Sequence, residues 1–129
     1  MADAGSQQIL ALLDEGSPAL ARSYKRLAKA IKRMPKRDDG VPAPIAFAAL
    51  SDIRGFFAGL SGEISAIDTP NPAKADVLAA LEVFDKANAK TEEGLQEGAS
   101  KDGLKSIRKA RKLAKRANRD LKDAKAGLK

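Results

Sequence analysis

Asp68-Thr69-Pro70-Asn71-Pro72 is the sharpest break in the chain. Two prolines within three residues cannot sit inside one helix: each lacks the N–H the ladder needs and pushes the residue before it out of helical geometry. Asn71 is a natural cap for a helix opening at Pro72. The break therefore separates two helical halves, each of which reads outward as a pair of helices.

Upstream, Ile45, Ala49, Ile53, Phe56, Leu60, Ile64 and Ile67 recur mostly at three- and four-residue steps, with Leu50 and Phe57 widening the stripe. That spacing predicts a helix over 43–67. Residues 35–42 (PKRDDGVP) form a polar loop before it. Earlier still, Ile9, Leu13, Leu20, Tyr24, Leu27 and Ile31 predict a helix over 6–34. Ser17-Pro18 has the form of a cap followed by a first helical position, so this segment reads either as two helices broken at Pro18 or as one kinked there.

Downstream, Val77, Leu78, Leu81, Phe84 and Leu95 predict a helix over 72–97. Residues 97–103 (EGASKDG) read as a turn with Ser100 as cap, the alternative being one long helix weakened by its glycines. The last helix, 101–126, has a seam of Ile107, Ala110, Ala114, Ala117, Leu121, Ala124 and Leu128. Its alanines bury little apolar area, so this helix is expected to be the most easily detached. No run alternates with the period of two that a strand needs. The expected fold is all-α: a single domain over 1–129, folded as an antiparallel up-down-up-down four-helix bundle.

Composition then narrows the function. The chain has 129 residues and contains no histidine, cysteine or tryptophan. Cysteine- or histidine-ligated metal sites, disulfides and cysteine nucleophiles are excluded, as is the one side chain that ordinarily titrates near neutrality. Glu92, Glu93 and Glu97 cluster at spacings that a solvated helix end gives anyway, and the lone glycines fit no phosphate loop. The chain reads as a non-enzyme with no catalytic residues, metal or cofactor. No secretory signal and no membrane-length apolar run are visible, so a cytoplasmic protein is expected. Tyr24 reads as a core residue with its hydroxyl at the rim, and Asn88 falls near a seam position.

Charge is the strongest signal. Residues 1–37 carry eight basic and three acidic side chains, a net of +5; residues 38–100 carry four and eleven, a net of −7; residues 101–129 carry twelve and three, a net of +9. Two runs contain no acid. From the first, Arg22, Lys25, Lys29, Lys32 and Arg33 are candidate contacts to an anionic partner. From the second, the candidates are Lys105, Arg108, Lys109, Lys112, Lys115, Arg116 and Arg119, most of them on the solvent side when Ile107 faces the core. In an up-down-up-down bundle the first and last helices are antiparallel neighbours, which brings both runs to one end. Like charges closer than about 8–10 Å repel, and an external anion would relieve that cost. The competing reading is a solvated surface, partly neutralised by Glu92, Glu93, Glu97, Asp38 and Asp39.

The outward side of the second helix is unusually small and uncharged: Gly55, Ala58, Ser61, Gly62 and Ser65. It reads as a subunit contact, as packing on the Gly16 region, or as a face central to the bundle. The functional expectation is an interaction or assembly protein whose basic patch engages a polyanion such as nucleic acid, or an acidic protein surface. The alternatives are a structural subunit of a larger assembly, such as a viral or phage particle or a homo-oligomer, and a small enzyme with a lysine or carboxylate site.

Overall fold

The computed structural model describes residues 3–36 and 44–129. Four helices follow in order: α1 (Ala4–Arg33), α2 (Pro44–Ala66), α3 (Ala73–Glu97) and α4 (Lys101–Leu128), with a 3-10 turn at Met34–Lys36. No strand occurs among the described residues. The helices pack as a four-helix bundle, and no described helix is long and apolar enough to cross a membrane.

α1 opens on Asp3, whose carboxylate accepts the Ser6 N–H at 3.3 Å and the Ser6 hydroxyl at 2.6 Å. The Thr69 hydroxyl donates to the same carboxylate at 2.6 Å, tying the start of α1 to the connection between α2 and α3. α1 then runs unbroken through Pro18, which corrects the two-helix reading. The proline costs the Asp14 carbonyl its helical partner. Ile9 and Leu13 before it, and Leu27 and Ala30 after it, remain buried on one face, and that shared burial holds the helix together.

The Asp68–Pro72 break behaves as its residues dictate. The Asn71 side chain accepts the Ala73 N–H at 2.9 Å and donates to the Gly127 carbonyl at 3.0 Å, so it caps α3 and clasps the end of α4. Lys74 Nζ donates to the Ser65 and Ile67 carbonyls at 3.1 and 2.7 Å, satisfying acceptors that the end of α2 leaves open.

α3 and α4 are two helices. Gly98 takes a left-handed φ of 73°, and Ser100 Oγ accepts the Gly103 N–H at 3.1 Å. A Cβ on Gly94 would lie 2.6 Å from Ile107 Cγ1 and 2.8 Å from the Gly103 carbonyl oxygen, and one on Gly103 would strike the Gly98 carbonyl. Glycine at both places lets the two backbones nearly touch, and α3 with α4 is the most extensive helix pair. The alanine seam of α4 therefore seats it closely on α3 instead of leaving it loose.

One core draws on all four helices: Ile9, Leu13 and Leu27 of α1, Ile53, Phe57, Leu60 and Ile64 of α2, Val77, Leu81 and Phe84 of α3, and Ile107 and Leu128 of α4. The Phe57 and Phe84 rings stack with centroids 4.7 Å apart. Ile45 is 52% exposed, against expectation, while Ala46 is buried. At 100° per residue, Ile45 is turned about 80° from the Ile53 seam and Ala46 only about 20°. Phe56 is half-buried, its ring filling the space that the missing side chain of Gly16 leaves.

Candidate functional site

α1 and α4 run antiparallel along the remaining side of the bundle, and they do not close it. Near one end Lys125 Nζ reaches Asp14 Oδ1 at 2.9 Å, and this pair holds the Asp14 carboxyl below the usual carboxylate range. From there a groove of about 580 Å³ opens between the helices, walled by Leu13 and Leu20 on one side and Ala114 and Leu121 on the other, over a floor of Leu81 and Phe84. Beyond Tyr24 lies a second space of about 220 Å³ between Leu27 and Ile31 of α1 and Ile107 and Ala110 of α4. Tyr24, Ala114 and Lys115 line both parts.

Two properties of the sequence account for this open seam. α4 presents alanine where a leucine or phenylalanine would be needed to reach α1. Both helices also belong to the positively charged portions of the chain, +5 and +9, so drawing them together costs electrostatic energy.

The sequence-predicted cations Arg22, Lys25, Lys29, Lys32 and Arg33 of α1 are all exposed. Lys25 stands four residues after Ala21 and three before Ala28, both of which line the groove, and Lys32 stands four after Ala28. These two therefore border the groove, with Lys29 next around the helix and Arg22 and Arg33 on its outer side. On α4 the predicted set is exposed too, but it does not face one way. Arg108 and Lys115 share a row with Arg111, Asn118, Lys122 and Lys125, at steps of three and four, and all of these but Arg108 line the groove. Arg119 borders that row, while Lys105 and Lys112 point outward. Lys109 and Arg116 turn toward α3. Arg116 there lines a separate cleft with Asp76, Asp120 and Asp123, and its guanidinium approaches Asp120 at 3.8 Å.

Sequence reasoning thus missed Arg111, Lys122 and Lys125. Their signal was the unbroken three- and four-residue spacing along the row. What no residue pattern disclosed was that the seam stands open for that row to face.

Compensation of the patch is slight. Among the described residues, Arg116 is the only one of the twelve predicted cations with a carboxylate within 4 Å. Of the carboxylates expected to neutralise it, Glu92 pairs with Arg54 and Glu93 with Lys90 at 3.2 Å, while Glu97 is exposed and lies within 4 Å of none of the twelve cations. Asp38 and Asp39 lie outside the described residues.

The groove lining is polar at Ser17, Asn118 and Thr91 and, most deeply, at Tyr24 and Asn88. The Tyr24 hydroxyl lies 3.5 Å from Asn88 Oδ1, and burial pushes its pKa up to about 12. Asn88 is 97% buried, and its Nδ2 has no acceptor among the described residues. Elsewhere the floor is apolar and the cations stand at the rim, so what the groove offers a ligand is burial and charge.

The small-residue face of α2 is exposed at Gly55, Ala58, Gly62 and Ser65 and half-buried at Ser61. A Cβ added to Gly55 or Gly62 meets nothing within 4 Å, so the face is not consumed inside the bundle, and the Gly16 region packs on Phe56 instead.

Comparison with family models, with curated proteins and with solved structures gives no match for this chain. Function must be argued from the groove itself.

Proposed function

We propose that the chain is a cytoplasmic, non-enzymatic binding protein that engages an anionic macromolecule through its α1/α4 face. The observation that carries this reading is the set of exposed cations on both walls of one seam, nearly all without an acidic neighbour among the described residues. Gathering them costs folding energy, and an anionic partner offsets that cost while speeding encounter. The apolar groove between the walls favours an acidic protein surface over nucleic acid, because phosphates alone make no use of a buried hydrocarbon floor.

The direct test is binding to heparin and to a polyglutamate peptide across a salt series. Affinity should fall steeply with salt, and Arg108→Glu with Lys115→Glu should weaken it about tenfold or more, as expected when two favourable charges are each inverted. Unchanged affinity in that variant would remove the face from consideration. The second reading, a subunit of a larger assembly, draws on the open Gly55–Gly62 stripe. It requires a mass in light scattering that rises with concentration and collapses in Gly62→Glu.

A further inference from the structure

The open seam has the length and the charge pattern to receive one face of a helix. From Leu13 to Ile31 it follows α1 for eighteen residues, about 27 Å at 1.5 Å per residue. Its two spaces adjoin, with Tyr24, Ala114 and Lys115 common to the lining of both. Resting on the reading that this face binds anions, we infer that the groove docks one amphipathic acidic helix of a partner protein, laid along the α1/α4 seam with the side chains of its apolar face in the groove.

Two features select that occupant. The α4 row of Arg108, Arg111, Lys115 and Lys122, with Asn118 between the last two, repeats at three and four residues, the interval at which carboxylates recur along one face of a helix; Lys125 ends the row and is already held by Asp14. An acyl chain with a single carboxylate would meet one of those cations and leave the others unanswered. The opposite wall supplies Lys25 and Lys32, so a helix lying between them can carry acids on both flanks and apolar residues on its underside, as helices docked in grooves do.

The experiment uses the full chain and three probes. One is a synthetic peptide of about five turns with leucines on one face and glutamates flanking them. Another is the same composition scrambled to destroy the stripe, and the last is a random double-stranded DNA of about the same charge. Tyr24 is the only tyrosine and there is no tryptophan, so with a tyrosine-free peptide its fluorescence reads the groove directly. The patterned peptide should bind at least about tenfold more tightly than the scrambled one and change the Tyr24 signal. Ala114→Trp and, on the other wall, Ala21→Trp should each remove that preference by filling the groove from a position on its lining.

Equal binding of both peptides, with no effect of either tryptophan, would overturn the helix-docking inference while leaving the anion-binding face intact. Preference for the DNA would also overturn it, in favour of a nucleic-acid partner. Absence of binding to all three would take the functional reading down with it.

Discussion

Tyr24, Asp3 and the glycines of the α3–α4 hairpin are the residues whose behaviour follows most directly from their surroundings. Burial raises the Tyr24 pKa from 10.0 to about 12, so the neutral phenol favours the folded state. That contribution is complete below pH 10 and lost as pH rises through 12; absorbance of the sole tyrosine near 295 nm should show ionisation and unfolding together in that window. Asp3 is the opposite case. Its hydrogen bonds from Ser6 and Thr69 lower its pKa from 3.8 to about 2, so it stabilises the fold above pH 4 and ceases to as pH falls toward 2. Asp3→Asn should flatten the acid limb of a thermal-melt series over that range. Among the glycines the sign of substitution depends on space. Gly94→Ala should destabilise by about 1–3 kcal/mol because the methyl meets Ile107 and a backbone oxygen. Gly62→Ala faces open solvent and should stabilise by about 0.5–1 kcal/mol through helix propensity alone. Denaturant melts of the two variants check both.

At the scale of elements, caps and breaks were the legible part. Asn71, Ser100 and the Pro70–Pro72 pair act as their chemistry requires, because each works through backbone groups one to three residues away. Ser100→Ala should cost about 1 kcal/mol in chemical denaturation, the usual worth of an N-cap. Pro18 was ambiguous in sequence for a physical reason. Serine and proline give the same local signal at a helix start and within a helix, and the choice is made by burial of Leu13 and Leu27 on either side, which is tertiary. The phase of α2 was likewise blurred by its many apolar residues, so that Ile45 could be placed inside when the helix turns it outward. The α4 face was hardest. With cations at nearly every solvent position, the sequence shows that they are exposed but not which of them look across at α1.

For the whole molecule, the governing fact is the charge order along the chain: positive, negative, positive. The fold turns that order into position. The acidic middle supplies α2 and α3, where Glu92 and Asp85 bind Arg54, while the two basic portions face each other across α1 and α4, the loosest of the sequential and closing helix pairs among the described residues. The convergence of the two runs was legible from topology, but the groove was not, since it depends on how far α1 and α4 stand apart. The most direct measurement is a calorimetric titration of one acidic ligand, the leucine–glutamate peptide, into two wall variants. One carries Lys25→Glu and Lys32→Glu on α1, and the other Lys115→Glu and Lys122→Glu on α4. If both walls form one binding surface, each variant should lose about tenfold or more in affinity while melting like the parent protein. Loss from one wall only, or from neither, would contradict a shared site.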